Sequence, residues 1–285
     1  ALGASFLIAG GTSEQQGRWL PEIAAGRCCV AFAHLEKGAR HNLKHCTTVA
    51  ISKNGNWIIT GKKSAVLHAD RADLFIVVAR TDGSLGDAEG LSLFLIAPDT
   101  HGMTQYSYTA PDGLPAADLV FDNVILSTDA LIGRAGSSWA LIEKIYDRAT
   151  ILQCAEAVGM LRRAFQLTLD YLKVRKQFGQ AIGGFQALQH RMVELFIDLE
   201  QVYSIVCLVC AKLDEGVSRE EERHLVSAAK IRVNDACLRS SQETVQMHGA
   251  IGLSNEMMIS FIFRRLTMII QRFGDSDHHL GRFSS

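Results

Sequence analysis

Proline is missing from the chain after residue 115; all four (Pro21, Pro98, Pro111, Pro115) come earlier. Proline ends helices, so its absence leaves the later part of the chain free to form long ones. Charge imbalance is also lacking. The 29 basic and 30 acidic residues leave a net charge of −1, which excludes an electrostatic nucleic-acid binder. No uninterrupted apolar run is long enough to span a bilayer, and the first residues lack the charged-then-apolar layout of a secretory signal. A soluble, cytoplasmic chain with no membrane partner is therefore expected. A disulfide framework is absent too. The seven cysteines (28, 29, 46, 154, 207, 210, 237) are odd in number and irregularly spaced, so reduced thiols are expected. Cys207 and Cys210 form a C-x-x-C within an apolar helical run, but no second pair exists to complete a zinc site.

What is present divides the chain. Leu188, Met192, Leu195, Leu199, Val202, Val206 and Val209 recur at spacings of four and three, the stripe of a bundle helix. Ile145, Ala149, Leu152, Ala155, Val158, Leu161, Phe165 and Leu172 form a similar stripe. A third helix is expected to open at "SREEERHLVSAAKIRV", with Ser218 as N-cap and acidic residues in its first turn, and a fourth near Asn255. Short connections between them predict an antiparallel four-helix bundle over 133–285.

Residues 27–132 read differently. "CCVAFAHL", "TTVAISK", "NWIITGKK", "LFIVVART", "LSLFLIA" and "ADLVFDNVIL" are short β-rich runs broken by turns such as "KNGN" and "RTDGS". They predict an antiparallel β-domain. Ahead of it, "SEQQGRWLPEIAAG" reads as a capped helix closing at Gly26. The fold class is α+β.

Three segments carry a resemblance that spans nearly the whole chain. "GTSEQQGRWLPEIAAGR", "RKQFGQAIGGFQALQHRM" and "VQMHGAIGLSNE" are similar, in order and at matching spacing, to motifs of the acyl-CoA dehydrogenase family. The resemblance places residues 1–26 at the end of that family's N-terminal helical domain, most of which is then missing from this chain. It implies an FAD enzyme that desaturates an acyl-CoA between its α and β carbons. A carboxylate takes the α-proton and the β-hydrogen leaves as hydride to the flavin. It further implies electron-transfer flavoprotein as electron acceptor and a tetramer with each FAD lying across a subunit boundary.

For the FAD tail, the resemblance implies Arg175 on the pyrophosphate, Phe178 and Phe185 flanking adenosine, amide contacts from Gln177, Gln186 and Gln246, and close approach at His248 and Gly249. Asp275 and Asp277 fall in a run, "FGDSDHHL", whose family counterpart touches the neighbouring FAD. Asp275, His278 and His279 would share a helix face, yet neither a metal site nor a hydrolase is the expected reading, since no further ligand cluster or G-x-S-x-G elbow accompanies them. The flavin-ring side departs from the family's T-E-P-x-x-G-S-D: "LEKGARHN" has Leu35, Lys37 and His41 where threonine, proline and serine are usual, and Ala65 and Leu67 replace an aromatic and a hydroxyl residue. The two places where relatives carry the catalytic glutamate hold Phe273 and Ala149, so no catalytic residue is assigned; Asp147 and Glu143 lie near enough for a shifted base. "FGDSDHHL" and "AHLEKGARHNL" resemble the smaller subunits of heteromeric relatives acting on dicarboxylate- and sterol-derived CoA esters. The expectation is a subunit that lends its FAD-tail site to a catalytic partner in a two-plus-two tetramer. The alternatives are a self-sufficient homomer with a shifted base and a scaffolding protein of the same fold.

Overall fold

The computed structural model describes residues 2–284. The chain divides into two compact units, Ala1–Tyr146 and Asp147–Ser285. That division falls inside a helix, later than residue 132, where the sequence pattern changes.

The first unit opens with helices α1 (Leu2–Gly10) and α2 (Ser13–Ala24). Thr12 caps α2 in a capping box: its hydroxyl accepts from Gln15 N, and the Gln15 side chain accepts from Thr12 N, satisfying two donors that helix geometry leaves open. Eight strands follow: β1 (Val30–Ala33), β2 (Val49–Lys53), β3 (Asn56–Leu67), β4 (Leu74–Arg80), β5 (Leu91–Ile96), β6 (Met103–Thr109), β7 (Pro115–Ser127) and β8 (Leu131–Ile132). They form one sheet in the order β6-β7-β3-β2-β4-β5-β8, with β1 beside β4. Ile59, Val66, Phe75, Val77, Phe94, Leu119 and Phe121 fill its core.

Two features depart from the sequence reading. The sheet is mixed, because β1 runs parallel to β4 from Val30↔Leu74 to Ala33↔Val77 and β2 meets β4 in parallel at Val49↔Arg80. The β2–β3 hairpin lies between β1 and β4 in sequence and allows that crossover. Strand β6 escaped notice because "MTQYSYT" is largely exposed along its length; an edge strand lacks the apolar alternation that marks a half-buried one.

The helices of the second unit are α3 (Trp139–Val174), which starts before the division, α4 (Gln186–Glu215), α5 (Arg219–His248), α6 (Met258–Gln271) and α7 (Ser276–Phe283); a hairpin, β9 (Lys176–Gln177) with β10 (Gln180–Ala181), joins α3 to α4. Ser218 caps α5 by accepting from Glu221 N. The α4 stripe from Met192 to Val209 is buried as its spacing predicts. The α3 stripe is corrected: Leu152 and Ala155 are exposed, while Ile151, Cys154 and Ala157 are buried. Adjacent apolar residues on a long helix permit either face to be read as the inner one, and packing against α4 and α5 decides. Among the described residues no helix is long and apolar enough to cross a membrane.

Candidate functional site

The candidate cofactor cleft lies in the second unit, where α3 ends and α5 ends. Arg175 follows the last residue of α3; its N–H donates to Tyr171 O at 2.9 Å and its carbonyl accepts from Ile182 N at 2.9 Å. The chain reverses through Phe178 (φ 54°) and Gly179 (φ 81°). Two successive left-handed residues make the tight hairpin turn whose twist suits paired strands. Gly183 is also required, since a Cβ there would stand 3.0 Å from Leu172 O.

From the other side, α5 stops at His248 because Gly249 adopts φ 68°, ψ −153°, a conformation that favours glycine. The ring of His248 is buried and stacks on Tyr171, with centroids 4.5 Å apart and planes at 22°. Its Nδ1 lies 2.7 Å from Thr244 O. A carbonyl only accepts, so Nδ1 carries the proton in the neutral ring and Nε2 is left as an acceptor. Burial pushes the imidazole below its usual pKa, against the opposing pull of that carbonyl. Tyr171 completes the corner by donating its hydroxyl to His248 O at 3.3 Å.

Tyr171, Arg175, Gln177, Gln246, His248 and Gly249, walled by Ile182 and Ile251, line a cleft of about 470 Å³. One fixed cation, two amides, an imidazole acceptor and an exposed glycine backbone suit an anionic ligand that also carries hydroxyl or amine donors. Sequence reasoning overlooked Tyr171, although it stands one helical turn before Arg175 and so shares its face.

The remaining predicted residues are not brought into this cleft. Phe178 is almost fully exposed on the hairpin, in edge contact with Phe185 at 6.1 Å, and Gln186 is exposed at the start of α4. Asp275 caps α7, its carboxylate accepting from His278 N at 2.8 Å, and Asp277 is exposed in the first turn. His279 serves the fold: its Nε2 lies 2.8 Å from Phe273 O and its Nδ1 3.3 Å from Ser227 Oγ. Burial pushes it down to about 3, which keeps the ring neutral.

The two positions where the resemblance implies a base hold no carboxylate. Ala149 is buried in α3, and Phe273 sits at φ 58° between α6 and α7. Asp147, the candidate for a shifted base, is wholly buried and clamped by Arg282 at 2.5 and 2.7 Å and by Arg219 at 3.0 Å. Both of its oxygens are thus held by arginines of the same unit. Neither Asp147 nor Glu143, the two candidates for a shifted base, lines the cleft.

In the first unit, the positions that depart from the ring motif offer their backbone to neighbours. Leu35 O accepts from Ser64 N at 2.8 Å, while Ala65 is held at φ 53° and its N–H donates to Asp118 at 3.0 Å. Lys37 is exposed, His41 and Leu67 are half-buried, and none of Leu35, Ala65 or Leu67 brings a polar side chain.

Comparison with known proteins agrees with the architecture. The family model for the acyl-CoA dehydrogenase C-terminal domain matches residues 136–281, and that for the middle domain matches 31–124. The chain is 27% identical over 273 residues to (R)-benzylsuccinyl-CoA dehydrogenase of Thauera aromatica, covering 94% of this chain and 66% of that protein. It is 30% identical over 261 residues to acyl-CoA dehydrogenase fadE12 of Mycobacterium tuberculosis, covering 90% and 66%. The chain thus spans about two thirds of the length of these curated relatives. Among solved structures, an acyl-CoA dehydrogenase from Geobacillus kaustophilus superposes with a TM-score of 0.93 at 24% identity over 98% of this chain and 74% of that one, a likeness of fold. PigA, solved with FAD and proline, superposes with a TM-score of 0.92 at 26% identity over 99% and 73%.

Proposed function

The chain belongs to the acyl-CoA dehydrogenase family, and we propose that it serves there as a subunit lending an FAD-tail site to a catalytic partner. The observation that carries this reading is a contrast. Arg175, Gln177, Gln246, His248 and Gly249 converge on one cleft, whereas Phe273 and Ala149 occupy the base positions and Asp147 is consumed in a buried clamp.

The cleft fits the adenosine-pyrophosphate part of FAD. Arg175 supplies a permanent charge for the pyrophosphate, Gln177 and Gln246 offer amide hydrogen bonds, and the His248 acceptor suits a hydroxyl or amine donor. That PigA was solved with FAD supports the assignment. Phe178, Phe185 and Gln186 project from the adjoining hairpin and helix start as a ledge for the adenosine, and the run that holds Asp275 and Asp277 would meet a neighbouring site. When bound, the flavin supplies the hydride acceptor for α,β-desaturation of an acyl-CoA thioester. The residues here hold the cofactor's tail. The proton-abstracting carboxylate comes from the partner, in a two-plus-two tetramer that passes electrons to electron-transfer flavoprotein.

A visible spectrum of the purified chain, alone and after co-expression with a neighbouring dehydrogenase-like chain, tests this. Flavin retained only in the complex supports the subunit reading. Flavin in the isolated chain that bleaches anaerobically on mixing with acyl-CoAs would establish a self-sufficient enzyme instead. No flavin under either condition would leave a scaffolding role.

A further inference from the structure

Apart from the cleft, the first unit buries an amine, a thiol and a carboxylate together. Lys63 of β3 is completely shielded from solvent; its Nζ donates to Glu36 Oε1 at 2.7 Å and to His34 O at 3.4 Å, and stands 3.5 Å from Cys46 Sγ. Cys46 is also buried, in the loop before β2. Glu36 is secured independently of Lys63. Its two oxygens accept from the backbone and hydroxyl of Thr47, both at 2.6 Å, and of Thr48, at 3.0 and 2.8 Å. Three strand-linked segments thus hold a nitrogen and a sulfur in contact beside a fixed carboxylate. A buried ion pair on its own adds little stability over apolar packing, so the arrangement invites a chemical reading.

We propose that Lys63 and Cys46 form an oxygen-bridged covalent cross-link, Nζ–O–Sγ, when the protein meets hydrogen peroxide. In the first step the thiol takes one oxygen: Cys–SH and H2O2 give Cys–SOH and water. In the second, Cys–SOH, the Lys63 amine and another H2O2 give Lys–NH–O–S–Cys and two waters. An S–H bond, an N–H bond, the sulfenic O–H bond and two O–O bonds break, while S–O and N–O bonds form. Sulfur and nitrogen are each oxidised by two electrons, and the two peroxides take up the four. Glu36, 2.7 Å from Nζ, holds the nitrogen beside the sulfur, and the proton that the amine gives up leaves to solvent during local opening. One interposed oxygen needs less closure of the 3.5 Å gap than a direct sulfur–nitrogen bond would.

Burial pushes the Cys46 thiol up, with Lys63 pulling the other way. A thiol so placed reacts slowly and through local opening, so the bridge records sustained exposure to oxidant. Closure removes the Lys63 charge and ties β3 to the loop 34–47. This modification site does not depend on the FAD reading.

Site-resolved mass mapping of the native, folded protein after graded hydrogen peroxide tests it. The expected product is a linked peptide pair containing Cys46 and Lys63, heavier than the sum of its parts by one oxygen less two hydrogens. Excess dithiothreitol should return both residues to their free forms. Cys46→Ser and Lys63→Arg should each abolish the pair; if Lys63→Arg does not fold, Cys46→Ser alone provides the control. Recovery of Cys46 only as thiol or as its sulfenic, sulfinic or sulfonic acid, at doses that oxidise exposed Cys207 completely, would overturn the proposal. A linked pair lacking the oxygen would also overturn it.

Discussion

Arg282 and Asp147 lie 135 positions apart in sequence, yet the guanidinium grips the buried carboxylate at both oxygens, at 2.5 and 2.7 Å. Arg219 joins the same carboxylate at 3.0 Å and reaches on to Glu222 at 2.6 Å. The network fastens α7 to α3 and α5. Asp147→Asn leaves two cations facing an uncharged amide in a dry site, and breaking such a pair typically costs ~3–5 kcal/mol. Urea unfolding should show a loss of that order. At temperatures where the variant stays folded, flavin reduction in the assembled complex should be unchanged. A stable Asp147→Asn protein with abolished reduction would identify Asp147 as a base after all.

Arg175 is exposed at the end of α3 and lines the cleft. Truncating a charge-assisted contact to an anion typically costs ~2–5 kcal/mol. Arg175→Ala should therefore weaken FAD binding by the complex about thirty-fold or more, at ~1.4 kcal/mol per tenfold. Arg175→Lys should restore only part, because lysine keeps the charge without the planar fork. Cofactor titration measures this. Unchanged affinity in an intact complex would reduce Arg175 to a solvated helix end.

Glu36 provides an acid-dependent contribution. Burial by itself would raise its carboxyl, but the Lys63 charge and hydrogen bonds from Lys63 and Thr47 hold it down at about 2, from 4.5. A depressed carboxylate stabilises the fold above its unfolded pKa and loses that contribution as pH falls through the folded value. The window therefore runs from pH 4.5 down to about 2. Glu36→Gln should be less stable at neutral pH, since Lys63 is left buried without its counter-ion, and should show a flatter stability profile within the window. An unchanged acid profile, read by intrinsic fluorescence against pH, would refute the pairing.

His34 stacks on Phe32 at 4.6 Å and meets Tyr146 edge-on at 5.4 Å, and among the described residues only the Phe32 backbone offers its shielded ring a weak polar contact. Burial, assisted by the Lys63 charge, pushes the imidazole from 6.5 to about 3. The unfolded chain thus binds a proton that the folded chain refuses, so this group costs stability as pH falls from 6.5 towards 3. His34→Leu removes a poorly satisfied polar ring and keeps apolar contact with Phe32. It should be at least as stable as the parent at neutral pH and lose less on acidification. A large loss at neutral pH would show that the imidazole makes a needed polar contact.

Short-range features were legible in the sequence. The capped helix closing at Gly26, the Ser218 cap, the Met192–Val209 stripe and most strands depend on groups a few residues apart, whose geometry the backbone itself dictates. The family motifs around Arg175 and Gln246 were legible for the same reason, since each lies within one continuous stretch. Tertiary structure alone decided what requires distant segments to meet. It set the parallel β1–β4 pairing, the inner face of α3, and the stacking of Tyr171 on His248. It also set Asp147 at the centre of an arginine clamp, and put Cys46 beside Lys63. Periodicity records which residues avoid water, but a burial pattern does not name the partner across the interface. Partners, and with them the charge state and chemistry of each buried group, follow only when the chain closes on itself.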